Sequence, residues 1–190
     1  MKFILASQSP RRKELLKLAN IQFEVIPSMA AEVLTPGLNP AEQVKELALL
    51  KANDLSRQYP ERHIIGADTI VVLNNQILGK PVNQDDAIKM LQSLRGRKHQ
   101  VMTAVAIVCA AQNVTEVLIN ITDVTFYDLS DEWIANYVAS GAPLDKAGSY
   151  GIQDAGFELV KEIHGDYYAV MGLPIAQLKR IIDELNIEKR

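Results

Sequence analysis

The most restrictive feature of the chain is a pair of long β-rich runs in its middle. HQVMTAVAIVCA (99–110) and VTEVLINITDVTFY (114–127) are crowded with valine, isoleucine, threonine and aromatic residues, and only an AQN turn separates them. Residues of these types suit a pleated, half-buried surface. Strands joined by so short a turn pair antiparallel, because a parallel return needs a crossover of about a dozen residues or more. The two runs predict an antiparallel ribbon within a large mixed sheet.

Around the ribbon the patterns are mixed. KFILA (2–6) predicts a strand, and Ser9 and Pro10 predict the N-cap and first position of a helix to about residue 19. QFEVI (22–26) predicts a second strand, and residues 27–38, with two prolines, a glycine and Glu32, predict a loop. Asn39, Pro40 and Glu42 predict another helix start, with an acid at the third position, running to about residue 57. HIIGADTIVVL (63–73) predicts a strand interrupted or ended near Gly66-Ala67-Asp68, followed by an NNQ turn and ILGKP. Asn83 caps a helix to about Leu94, and Ser130 caps one over 131–139 that stops at Gly141. Residues 141–156 hold four glycines and no apolar period, and predict a loop. FELVKEI and YYAVM predict two more strands, and Pro174 starts a final helix to about residue 186. There is no internal repeat. The expected fold is α/β, a mixed, largely antiparallel twisted sheet flanked by helices, with two lobes around a central cleft, in a single domain over 1–190.

Composition narrows the function classes. Hydrophobic residues make up 48% and charged residues 23%, which argues against disorder. The formal net charge of -3 and 6% aromatic content argue against a nucleic-acid-binding surface, so any anion site must be local. The single cysteine, Cys109, cannot form an internal disulfide, reads as a buried small hydrophobe and fits a reducing compartment. The apolar core of MKFILASQSPRRKELL is too short for a signal peptide and its arginines follow that core instead of preceding it. No run approaches the ~20 apolar residues needed to cross a bilayer. A cytoplasmic protein without membrane contact is expected.

Four segments carry chemistry. SQSPRR (7–12) places Arg11 and Arg12 where the helix dipole disfavours cations by a few tenths to ~1 kcal/mol each. A strand, a hydroxyl-bearing turn and a helix N-terminus form an anion site, with Ser7 and Ser9 as further donors, and arginine forks suit phosphate oxygens. The alternative is a plain Ser9 cap with solvated arginines. Lys51 falls with Val44, Leu47, Ala48 and Leu55 on one helical stripe. It either snorkels to solvent or reaches the floor of an anion-binding cleft. Asp68, in GADTIVVL, lies in a strand type that disfavours aspartate. A lysine or metal partner would stabilise it, and a turn aspartate bonding its own backbone is the other reading. Lys80, in LGKP, is fixed by Gly79 and Pro81, but GKP lacks the other elements of a phosphate-binding P-loop. In PLDKAGSYGIQ (143–153), Asp145 and Lys146 can pair, Gly148 and Gly151 permit close backbone approach, and Gln153 offers donor and acceptors to a base edge. An ordinary surface loop is the competing reading of that stretch.

Arg11, Arg12, Lys51, Lys80 and Lys146 against Glu32, Asp68 and Asp145 is the composition of a triphosphate-hydrolysing site. His63, His99 and His164 have no metal-ligand spacing, and neither GxSxG nor a cysteine–histidine arrangement is present, so zinc and serine-hydrolase chemistry are poor fits.

LASQSPRR with Glu32, LLKA around Lys51, GADTIV, GKP, TDVTF (122–126) and PLDKAGSYGIQ occur in the order seen in the Maf-like nucleoside triphosphate pyrophosphatases, which the chain resembles over essentially its whole length. The resemblance implies a mixed α/β fold with a deep cleft, a homodimer, and hydrolysis of a nucleoside triphosphate to monophosphate and pyrophosphate with a divalent cation, Mg2+ or Mn2+. It implies Asp68 as proton acceptor, Lys51, Lys80 and Glu32 as its catalytic companions, and Glu32 or Asp68 as metal ligand. Ser7, Ser9, Arg11, Arg12, Asp145 and Lys146 would contact substrate, with Arg11, Thr69 and Gln153 linked to base choice. The SPRR, GADT and YGIQ set resembles the dTTP/UTP branch, not the branch acting on 7-methyl-GTP. One departure is Met29-Ala30-Ala31-Glu32, where many relatives carry a second acid before the glutamate. A non-catalytic nucleotide sensor that acts on cell division is the alternative function.

Overall fold

The ribbon forms as its turn requires. In a computed structural model, which describes residues 2–187, the two runs are β5 (Lys98–Cys109) and β6 (Val114–Phe126), and a 3-10 turn with Asn113 at φ 52° joins them. The other strands are β1 (Phe3–Leu5), β2 (Phe23–Val25), β3 (Ile64–Leu73), β4 (Gln76–Leu78) and β7 (Val160–His164). They order as β2-β1-β3-β5-β6-β7, with β4 beside β3. β1 runs parallel to both β2 and β3, whereas β4 is antiparallel to β3 and β7 to β6. The sheet is mixed, as expected.

The helices begin where short polar side chains can accept the first amides. α1 (Pro10–Leu18) is capped by Ser9, whose Oγ accepts from Arg12 N at 3.4 Å. α2 (Pro40–Gln58) opens on a reciprocal box, with Asn39 Oδ1 accepting from Glu42 N and Glu42 Oε2 from Asn39 N, both at 3.0 Å. Asn83 and Ser130 cap α3 (Gln84–Leu94) and α4 (Asp131–Ala139) through Asp86 N at 2.9 Å and Trp133 N at 3.1 Å. Each such cap contributes roughly 1 kcal/mol. The last helices are α5 (Tyr167–Met171) and α6 (Ile175–Ile187).

Four expectations need correction. β3 runs unbroken through Gly66-Ala67-Asp68. Gly66 does not end the strand; it admits α2, because a Cβ there would lie 2.3 Å from Ala48 O and 2.7 Å from Ala52 N. β4 was not expected. Asn74 and Asn75, at φ 50° and 64°, make the tight turn that folds it back on β3. YYAVM is helical, not a strand, since Asp166 Oδ1 accepts from Tyr168 N at 2.8 Å and Ala169 N at 3.2 Å and so caps α5. FELVKEI is a strand only from Val160; Phe157 and Glu158 belong to a 3-10 turn inside an otherwise irregular loop.

The chain forms two compact units. One comprises the chain up to Asp68, Thr103–Asn120 and the chain from Gly172; the other comprises Thr69–Met102 and Ile121–Met171. The first buries Phe3, Ile4, Leu5, Leu16, Val44 and Leu55. The second has a core around Leu91, Leu94, Val101, Phe126, Ile134 and Tyr150. His99 is buried there, its Nε2 2.8 Å from Tyr150 Oη and its ring edge-on to Phe126 and Tyr150. Burial pushes the His99 imidazole down to about 4 and raises the Tyr150 phenol.

An unfolded histidine titrates near ~6.5. The unfolded chain therefore binds the extra proton first, and stability rises with pH between about 4 and ~6.5. This contribution is fully present above that window and is lost as pH falls through it. In urea unfolding, the advantage of wild type over His99→Gln should shrink by roughly 3 kcal/mol or less between pH 7 and pH 4. An advantage that does not change with pH would rule out a neutral buried imidazole.

Candidate active site

Lys51 lies on the buried side of α2, among Val44, Leu47, Ala48 and Leu55, and is only 8% exposed. It does not snorkel. Its Nζ lies 2.6 Å from Asp68 Oδ1 and 2.9 Å from Glu32 Oε1. Asp68 is itself 7% exposed, so each charge meets its opposite in a place where neither could stay ionised alone without large cost. This explains how β3 holds an aspartate. The geometry originates two residues earlier. Gly66 brings the Ala48–Ala52 turn of α2 onto the strand, and Asp68, on the same face two residues on, meets the lysine of that turn. Glu32 comes from the loop before α2 and is exposed on its outer side.

SQSPRR contributes side chains more than amides. Ser7 Oγ accepts from Ser9 N and from Arg12 Nη1, both at 3.2 Å. Arg12 N goes to Ser9 Oγ and Lys13 N to Ser9 O at 3.3 Å, while Pro10 has no N–H. The expected cradle of free amides is thus largely consumed by the cap. Arg12 is no solvated fork, since its Nε donates to Gly172 O at 3.0 Å. Desolvation lowers the Arg12 pKa, offset by attraction to Asp68 and Glu32 and reinforced by repulsion from Arg11. Ser7, Ser9, Arg11, Arg12, Glu32, Lys51 and Asp68 all fall in the first unit, around one mixed-charge cluster.

The second unit holds the other expected residues. Thr69 is half-buried on β3. Lys80 is exposed and makes no ion pair or hydrogen bond among the described residues. Gly79 O accepts from Gly148 N at 3.0 Å, which joins the LGKP turn to the glycine-rich loop. Gly148 has φ 66°, and a Cβ would press on Val71 at 2.8 Å, so glycine is required there. Asp145 and Lys146 pair at 2.7 Å as expected, and Lys146 Nζ also donates to Ala142 O. Gln153 is half-buried, and its side-chain amide makes no hydrogen bond among the described residues. The bracing residues escaped sequence reading. Tyr137 Oη accepts from Gly151 N at 3.2 Å, and Tyr150 meets His99. Each is an ordinary aromatic in sequence, with a partner supplied only by folding.

Among the described residues no three histidine, cysteine, aspartate or glutamate side chains gather to hold a metal. Two carboxylates on one ammonium do not make an all-protein metal cage. They do fit Mg2+ or Mn2+, which bind through one or two carboxylates and fill the remaining positions with phosphate oxygens and water. Asp68 Oδ2 accepts no hydrogen bond among the described residues and leaves a donor for that purpose.

The fold and the order of these motifs define a member of the Maf family: the family described as Maf-like protein matches residues 2–185, and the chain belongs to it. It is similar to curated proteins named dTTP/UTP pyrophosphatase. One from Bacillus cereus is 49% identical over 98% of this chain and 97% of its own. One from Bacillus anthracis has the same identity and coverage. The solved structure of the Staphylococcus aureus Ham1 protein aligns with 67% of this chain and 73% of its own at TM-score 0.47 and 15% identity. No helix among the described residues is long and apolar enough to cross a membrane.

Removing Lys51 leaves Asp68 as a buried charge beside Glu32. Lys51→Met should lower the unfolding free energy by about 3 kcal/mol or more. Adding Asp68→Asn should restore part of it, a non-additivity that a double-mutant cycle in urea detects. Strictly additive losses would mean that the pair carries no coupling.

Proposed function

We propose that the chain hydrolyses dTTP and UTP to the monophosphate and pyrophosphate, as its relatives' names describe. The observation that carries this reading is the lysine-centred cluster, in which two acids hold one buried ammonium and both also attract Arg12. Arg11, Arg12 and Lys51 neutralise the triphosphate, a planar fork gripping two oxygens at once. Ser7 Oγ already accepts two hydrogen bonds, which leaves its own proton to donate to a phosphate oxygen.

Asp68 is anchored through Oδ1, and its Oδ2 orients a water and takes its proton. The water oxygen bonds to the α-phosphorus, the bridge to the β-phosphate breaks, and pyrophosphate leaves with the bridging oxygen. Glu32 or Asp68 would hold Mg2+ or Mn2+, which when bound supplies charge neutralisation on the phosphates. Positioning and charge neutralisation then account for most of the acceleration. Lys80 and Lys146 are assigned to phosphate, with Asp145 steadying Lys146. Arg11, Thr69 and Gln153 are assigned to the choice of base, for which the unbonded Gln153 amide is suited. A cytoplasmic homodimer belongs to the same proposal.

A panel of nucleoside triphosphates with Mg2+ or Mn2+, read by pyrophosphate release, tests the activity, and dTTP and UTP should lead it. Asp68→Asn should reduce turnover by ~10²-fold or more while nucleotide affinity stays within about tenfold. Binding without pyrophosphate release in wild type would instead make the protein a nucleotide sensor.

A further inference from the structure

Glu32 can serve the site only if its loop holds still, yet that loop has little packing to hold it. Residues 27–38 form neither helix nor strand, and Met29 and Val33 are 87% and 70% exposed. What does restrain the loop is a polar seam along α2. Asp54 Oδ2 accepts from Ser28 Oγ at 2.7 Å and from Met29 N at 3.0 Å, and Ser28 Oγ accepts in turn from Ala30 N at 3.1 Å. At the other end Thr35 N donates to Gln43 Oε1 and Thr35 Oγ1 to Glu46 Oε1, both at 3.0 Å. Residues 28–35 thus run antiparallel to α2, pinned at each end, with Glu32 between the pins and 2.9 Å from Lys51 Nζ.

Asp54 follows Lys51 by three positions, which places the two side by side on the helix surface. We propose that Asp54 is a positioning residue: by folding Ser28, Met29 and Ala30 around its carboxylate it sets where Glu32 meets Lys51, and so acts on the reaction without touching substrate. The inference rests on the activity proposed above. The Ser28 hydroxyl and the Met29 amide hold the Asp54 carboxyl below the usual carboxylate range, the direction that charge-assisted bonds to an ionised acceptor produce. The Gln43–Glu46 pin is three residues past Glu32, so without Asp54 Ser28 and Met29 lose their bonds to α2.

Hydrogen exchange and kinetics on the full chain test this. In Asp54→Ala, amides 29–33 should exchange ~10-fold faster or more while the amides of α2 between residues 44 and 52 keep their protection. The kcat for dTTP should fall ~10-fold or more with KM changed less than ~3-fold, the pattern of a misplaced group and not of lost binding. In a Glu32→Gln background the same change should cost less than ~2-fold further, because Asp54 acts through Glu32. Ser28→Ala should reproduce part of the effect, and Ser28→Thr, which keeps the hydroxyl, should restore it. Unchanged loop exchange, or kcat losses that multiply across the double variant, would overturn the proposal. If wild type releases no pyrophosphate, the proposed activity fails, and the exchange of residues 29–33 still decides whether Asp54 holds the loop.

Discussion

Everything at the site is arranged around one contact, the bond between the Lys51 ammonium and the Asp68 carboxylate. An ammonium among Val44, Leu47, Ala48 and Leu55 is tolerable only because an anion stands 2.6 Å away. The reverse holds for an aspartate inside a strand whose neighbours are almost all buried. The meeting is made possible by the smallest residues nearby. Without a side chain at Gly66 the Ala48–Ala52 turn rests on the strand itself, and the lysine's four-carbon stem spans what remains. Arg12 and Glu32 then respond to a charge centre that already exists, one through attraction and one through a direct bond.

The two units hold their polar groups by different physics. In the first, the groups are charged and constrain one another, so each substitution is felt by the rest. In the second, the glycine-rich loop carries its own Asp145–Lys146 ion pair, and its backbone is held by neutral contacts: Gly148 N on Gly79 O, Gly151 N on Tyr137 Oη, and Tyr150 Oη on a buried His99. Such contacts place a backbone without fixing a charge. Among the described residues, Lys80 and the Gln153 amide make no hydrogen bond or ion pair.

Much of this was legible in the amino-acid sequence because the relevant forces are local. Ser9, Asn39, Asn83 and Ser130 cap helices from within three residues, and the β5–β6 turn is fixed by its own length. Lys51 and Asp68 stood out as misfits in their own elements, a buried cation and a strand carboxylate, and each resolved the other. The errors have a common origin in distance along the chain. Gly66 looked like a break because the helix that fills its empty side is drawn from residues 48–52. YYAVM looked like a strand because its aromatic and branched residues favour one, while the Asp166 cap and the tertiary setting chose a helix. The SQSPRR amides looked available because the Ser7 and Ser9 hydroxyls that consume them could equally have faced a ligand.

Arg12 is held by the carbonyl of Gly172, 160 residues further along. The first unit is completed by the chain from Gly172 onward, whereas the second is composed entirely of residues between 69 and 171. During synthesis, then, the ribosome delivers the whole second unit before the stretch that finishes the first. The Arg12 guanidinium can keep its bond to Ser7 Oγ but lacks the Gly172 carbonyl until the last segment emerges. A product that ends before Gly172 lacks that carbonyl, so the full set of bonds on Arg12 is among the final features a newborn copy acquires.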